Sequence, residues 1–292
     1  MEKKKYKLKG HESFIIRDGW LTKGITAVER DPKLFTVNSG SDALGLGTNM
    51  AKSLRYWMKT AELTVENNNG VFLTKIGQIL YKNDPYFEDL FSLWIIHANI
   101  ASNFALATSW NLFFNHMNLI SAFSRDEMFD MMQSLITEYT GEQKPSERSV
   151  QDDCSAILAM YSRGGEQNDD PEEKKNSPFE ELRLICKTGN KYFKKRPLID
   201  KLDPLVVLYI LLERLNSEKS LQIDTITDDV NMPGRILNLN RIAVNEFLDA
   251  LQNSSYIIVN RTAGLDIVYP QNCQDMTRET VVKKYFERSR ES

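Results

Sequence analysis

Between Gly45 and Leu63, polar side chains recur at helical spacing: Asn49, Lys52, Arg55, Tyr56 and Lys59. At about 100° per residue these share one face, and Met50, Leu54, Trp57, Met58 and Ala61 share the opposite one. Amide and phenol groups can meet base edges or sugars, while lysine and arginine suit phosphates and guanine edges. The pattern therefore fits a helix that enters a DNA groove. Asn49 and Tyr56 are the candidates for base or sugar contact, and Lys52, Arg55 and Lys59 for phosphate. Ser53, Asn68 and Lys75 complete the candidate DNA-binding set. No acidic residue falls between Asp42 and Glu62, so on the sequence alone this face is positively charged. Three cations on phosphate imply a slope of log K against log salt of about −2.7.

The elements that must position these residues follow directly. Thr48 is the expected N-cap of a helix over 48–60, its hydroxyl satisfying an early backbone N–H. Leu63-Thr64-Val65 and Val71-Phe72-Leu73 are short β-prone runs on either side of Asn67-Asn68-Asn69-Gly70. Asn and Gly tolerate positive φ, which makes the join a hairpin turn. Thr74 then caps a following helix. Helix, β-ribbon wing (65–72) and exit helix in that order predict a winged helix-turn-helix.

Other chemistry is poorly supported. Gly45-Leu46-Gly47 lacks the glycine spacing of a dinucleotide fingerprint and the G-K-[ST] of a P-loop. His11-Glu12 is the one adjacent His–carboxylate pair, but neighbours on an extended strand point to opposite faces. Hydrogen bonds that lock the N-terminal segment to the helix, with Arg17 and Trp20 in support, are the expected role of His11 and Glu12. His97 and His116 lie in apolar helices without an H-E-x-x-H pattern. Cys154, Cys186 and Cys273 are too scattered for a disulfide framework or structural zinc. No catalytic residue, metal or cofactor is expected, and the chain reads as non-enzymatic.

The full chain carries 37 basic and 40 acidic residues, so net charge makes no nucleic-acid argument. The distribution is more telling. From Arg125 to Glu181 there are 15 acidic and 6 basic residues, which leaves the two ends net positive. Leu90 to Phe123 contains no Asp, Glu, Lys or Arg, yet His97, Asn99, Asn103, Asn111 and Asn115 recur through it. Two buried soluble helices fit that stretch better than a membrane span. The N-terminal MEKKKYKLKG lacks an apolar signal core, and a cytoplasmic location is expected.

The expected fold class is mainly α with small β-hairpins (α+β). A winged helix occupies 1–84. A central helical region, 85–200, includes a capping box at Ser124–Glu127, a polar loop over 163–177 and a basic hairpin around Thr188-Gly189-Asn190. A C-terminal winged-helix-like module with a tail helix fills 201–292. Its third helix, near 238–252, buries Ala243, Val244, Phe247, Leu248 and Leu251 but exposes Glu246 and Asp249, which disfavours DNA there. Asp152 and Asp153 likewise suit packing or protein contact better than phosphate.

The runs G-H-E-S-F-I-I-R-D-G-W-L-T-K-G (Gly10–Gly24) and L-G-L-G-T-N-M-A-K-S-L-R-Y-W (Leu44–Trp57) resemble a bacterial and archaeal family of unknown function. Leu93–His97 (L-W-I-I-H) and Thr108–Asn115 (T-S-W-N-L-F-F-N) are similar to it as well, although the family often has an aromatic residue where this chain has Asn111. Members are encoded beside phosphoadenosine-phosphosulfate-reductase-like enzymes and other genes of DNA sulfur modification or antiphage defence. The resemblance implies an accessory role on double-stranded DNA, with such defence-system proteins as partners and no membrane. Its motif positions here are His11, Glu12, Phe14, Arg17, Trp20, Lys23, Gly45, Gly47, Asn49, Met50, Ser53, Arg55 and Trp57. A transcriptional regulator of the locus and a protein-only scaffold for a sulfurtransferase-like partner are the alternatives.

Overall fold

The computed structural model describes residues 5–117, 121–142, 144–162 and 177–291, so all but the last residue of the polar loop 163–177 lies outside it. The chain forms two compact units that divide between Lys195 and Arg196. It is mainly helical, with small antiparallel sheets.

In the first unit, α1 (Trp20–Arg30), α2 (Ser41–Leu44) and α3 (Thr48–Thr60) lead to strands β1 (Thr64–Asn67) and β2 (Gly70–Leu73), then α4 (Lys75–Asn83). Helices α5 (Leu90–Ser102), α6 (Thr108–Asn115), α7 (Arg125–Thr140) and α8 (Glu147–Tyr161) follow, and the hairpin β3 (Ile185–Thr188) and β4 (Lys191–Lys194) ends the unit. Helix α5 is its axis: 11 of 13 residues are buried, as they are around all of α6. The amides that interrupt this apolar stretch close off helix ends. Asn99 donates to the Ala61 carbonyl just past α3 (2.9 Å), and Asn111 and Asn115 donate to Ala101 O (2.8 and 3.1 Å). Carbonyls without an intrahelical partner need such donors when buried. No helix among the described residues is long and apolar enough to cross a membrane.

Local signals fix the boundaries. Ser124 and Glu127 form the expected capping box. Thr74 accepts from Gly77 N at 3.0 Å and donates to Glu62 O at 2.6 Å, so one hydroxyl both starts α4 and ties it to the chain two residues before the hairpin. Thr48 is a correction. Helix α3 begins at Thr48 itself, with Gly47 at the cap position and no side-chain capping bond. The β1–β2 hairpin pairs Thr64 with Leu73 through Asn67 with Gly70, as its sequence predicts. Its far edge is pinned by Val71 N donating to Pro32 O (2.8 Å).

The second unit opens with α9 (Pro204–Glu218), capped by Asp203, and β5 (Leu221–Gln222). Next come α10 (Ile223–Asp228), α11 (Pro233–Ile236), α12 (Arg241–Asn253), β6 (Ile257–Asn260), β7 (Ile267–Pro270) and α13 (Arg278–Glu291). Its sheet has the order β5-β7-β6. Strand β5, two residues long, has no readable alternation and escapes sequence reading.

Gly77 is required by packing: a Cβ there would sit 2.2 Å from the Leu63 carbonyl oxygen. Gly77→Ala is expected to cost about 1–3 kcal/mol in urea denaturation. Gly47→Ala, whose Cβ would meet nothing nearer than 4.0 Å, is expected to stay within about 0.5 kcal/mol. Equal losses would contradict this account of the hairpin exit.

Candidate nucleic-acid interface

Helix α3 forms because its apolar positions face α1, the N-terminal segment and the α5–α6 layer. Ala51, Leu54, Trp57 and Met58 are wholly buried. What remains outside is narrower than the sequence suggests. Asn49, Lys52 and Lys59 are exposed, and Arg55 is partly so. Asn68 stands at the hairpin tip and Lys75 in the first turn of α4, both exposed. A lysine at a helix N-terminus opposes the macrodipole, so nothing in the fold itself calls for Lys75. Among the described residues, no hydrogen bond or ion pair engages the side chains of Asn49, Lys52, Asn68 or Lys75.

Two candidates turn inward. Tyr56 is 9% exposed, and its hydroxyl donates to Leu106 O at 2.8 Å. Burial, and then the charge of Asp153, raise its phenol above the ordinary range. Ser53 is wholly buried and donates to Phe14 O (3.2 Å), the same carbonyl that accepts Trp57 Nε1 at 2.9 Å. Neither side chain can meet a groove. The two-faced helical wheel failed because α3 is gripped on a third side by the chain before α1. There Gly10 lets the Tyr56 ring approach to where a Cβ would lie 2.3 Å from it.

The cationic face is also compensated. Glu66, on β1, accepts from Arg55 Nε at 2.8 Å and from Lys59 Nζ at 2.9 Å. Arg55 additionally lies over the Phe35 ring, 5.3 Å from its centre. Burial pushes the Glu66 carboxyl up, but the bonds from Arg55 and Lys59 outweigh it and hold the carboxyl below its usual range. It therefore stays ionised at neutral pH. Its contribution to stability is present above the ordinary carboxylate range and lost as pH falls through the lowered value. Ion pairs this exposed are worth about 0.2–1 kcal/mol, little enough that a phosphate can compete for either cation.

His11 and Glu12 lie in a turn, with Glu12 at φ 49°, rather than on the extended strand expected, and the partner of His11 comes from far along the chain. His11 Nε2 donates to Asp153 Oδ1 at 2.9 Å. Lys9 N donates to the same oxygen (2.9 Å), and Ser109 Oγ to Oδ2 (2.6 Å). His11 also stacks on Trp57, ring centres 5.9 Å apart. Serine, aspartate and histidine thus meet, but the carboxylate sits between the other two and all three are buried. The imidazole does not face the serine hydroxyl, and the cluster acts as a bolt that joins the chain before α1 to α6 and α8. Glu12 is exposed. Arg17 lies over Phe14 and Trp20 (5.7 and 5.5 Å), away from His11.

In the basic hairpin, Lys194 donates to Phe113 O and Met117 O, and Lys191 pairs with Glu127. In the second unit, Arg241 pairs with Asp224 and Asp266, and Arg261 with Asp249. The exposed side of α12 is accordingly neutral to acidic, with Glu246 outward.

Residues 8–286 match the model of a protein family of unknown function, DUF4007, and the chain belongs to that family. Among solved structures it is similar to SspB. A magnesium ion-bound SspB crystal structure matches with a TM-score of 0.84 at 22% identity, over 98% of this chain and 89% of that one. A second SspB crystal structure gives 0.83 at 21%, over the same shares. At such identity the likeness establishes the fold. No curated protein matches. Among the described residues no group of three or more His, Cys, Asp or Glu is placed to hold a metal ion.

His11→Ala is expected to lower stability by about 3–5 kcal/mol, because it leaves Asp153 buried without one of its donors. Glu12→Ala is expected to change it by less than about 0.5 kcal/mol. Denaturant titration of the two variants checks the contrast, and a tolerant His11 would contradict the bolt.

Proposed function

We propose that this protein is a non-enzymatic accessory component of a bacterial DNA-modification or phage-defence system, acting in the cytoplasm. In this reading it docks duplex DNA through a winged helix made of α3, the β1–β2 wing and α4. The supporting observation is that Asn49, Lys52, Asn68 and Lys75 project from one helix–hairpin–helix segment with no side-chain partner of their own. Arg55 and Lys59 are a second rank, released from Glu66 as phosphate approaches. The second unit, where Arg214, Arg235, Arg241, Arg261 and Arg288 pair with its own carboxylates, meets protein. Its partner is a phosphoadenosine-phosphosulfate-reductase-like or other defence protein, as the family resemblance implies. Regulation of the locus is the alternative, and selective footprinting upstream of the operon would favour it over uniform affinity for unrelated duplexes.

Four cations less one carboxylate give a slope of log K against log salt of about −2.7 for the wild type. Glu66→Gln removes the opposing charge, so the slope is expected to steepen to about −3.6, with tighter binding at low salt. The double variant Lys52→Glu, Lys59→Glu is expected to lose affinity at least tenfold. A double variant that binds duplex as tightly as wild type in a mobility-shift series would remove this docking mode.

A further inference from the structure

The motif arginine of the N-terminal run, Arg17, has no part in the α3 surface. It lines a separate cavity of about 370 Å³ in the first unit. A volume of this size suits a small organic ligand. The character of its wall says which kind.

The one cation on the wall among the described residues is fixed and unspent. The Arg17 guanidinium is held over the Phe14 and Trp20 rings, its Nε is buried without a hydrogen-bond partner, and no ion pair engages it among the described residues. Beside it the 11-residue helix α1 begins. Its cap residue, Gly19, has φ 74° and no side chain to offer, and the first turn holds no acidic residue. Helix starts leave backbone N–H groups without intrahelical acceptors, and Thr22, also on the cavity wall, adds a hydroxyl. A guanidinium next to an uncapped helix start is a site for an oxyanion.

The rest of the wall differs, although Asp18 stands in the chain between Arg17 and Gly19. Tyr86 stands on the cavity wall 69% exposed, a large ring left in water. The carboxylates of Asp18 and Glu88 line the same space. Asp18 has no hydrogen bond or ion pair among the described residues, and burial, followed by the charge of Glu181, raises its carboxyl above the usual range. Carboxylates in that position would oppose a bare polyanion but can accept from amino groups. A ligand that matches the whole wall carries one oxyanion, a flat ring and exocyclic N–H donors.

We propose that this cavity binds a nucleotide unit. Its phosphate lies on Arg17 and the start of α1, its base stacks on Tyr86, and its amino group faces Asp18 or Glu88. The site is independent of the duplex-docking surface on α3. The unit can come from a free nucleotide or from the 5′-phosphorylated end of a strand.

The test is titration of the full-length protein with deoxyadenosine 5′-monophosphate, inorganic phosphate and a 5′-phosphorylated single-stranded oligonucleotide, followed by calorimetry. The mononucleotide is expected to bind at least tenfold more tightly than phosphate. Tyr86→Ala, at an exposed position that should not disturb folding, and Arg17→Gln are each expected to weaken it at least tenfold. Lys52→Glu is expected to leave it unchanged. Tighter binding of the oligonucleotide than of the mononucleotide, lost in Tyr86→Ala, would identify a strand end as the source; the reverse order would identify the free nucleotide. The proposal is overturned if the wild type shows no saturable nucleotide binding, or if Tyr86→Ala binds nucleotide as tightly as wild type.

Discussion

A carboxylate withdrawn from water must be surrounded by donors, and Asp153 on α8 is the point from which the first unit is organised. Only 2% exposed, it receives His11 Nε2, Lys9 N and Ser109 Oγ. Those donors come from the chain before α1 and from α6, so one side chain fastens three separate stretches of sequence. The segment it holds then supplies the Phe14 carbonyl that takes Ser53 and Trp57 of α3. The position of α3 therefore derives from α8, about a hundred residues later in the chain. Removing one donor from a buried charge costs several kcal/mol, a large fraction of a domain's total stability.

That arrangement explains why so much of the N-terminal motif is internal. Gly10 makes room for the Tyr56 ring, His11 stacks on Trp57, and Phe14 contributes its carbonyl. The residues left for the surface are the ones the core does not consume: Asn49 and Lys52 on α3, the hairpin tip, and Lys75. Glu66 moderates the charge of this surface. With both Arg55 and Lys59 on one carboxylate, two long side chains are ordered before any ligand arrives, and the cost of exchanging them is small because all three groups are partly in water.

Short-range features were legible in the sequence. The Thr74 cap, the Ser124–Glu127 box, the Asn-rich hairpin turn and the buried character of the uncharged stretch all depend on neighbours within a few positions. So does the inward set Leu54, Trp57 and Met58. Tyr56 was misassigned because a helical wheel supposes one buried side, and α3 has more than one; Ser53, a motif position outside the wheel's polar face, is buried against Phe14 O. The partner of His11 lies 142 residues away, beyond any local pattern. Glu66 stood in plain view between two β-prone runs, but only the hairpin geometry turns it toward Arg55. Asp152 and Asp153 were read for protein contact or packing, and packing is what Asp153 does. The cavity beside Arg17 gave no signal, since its walls come from segments some seventy to ninety residues apart.

The account stands on Asp153 holding α3 in place, and amide hydrogen exchange measures that directly. In an Asp153→Asn variant, protection is expected to fall at least tenfold across the 48–60 helix and the chain before α1, while α9 of the second unit keeps wild-type protection. Unchanged exchange across 48–60 would contradict it.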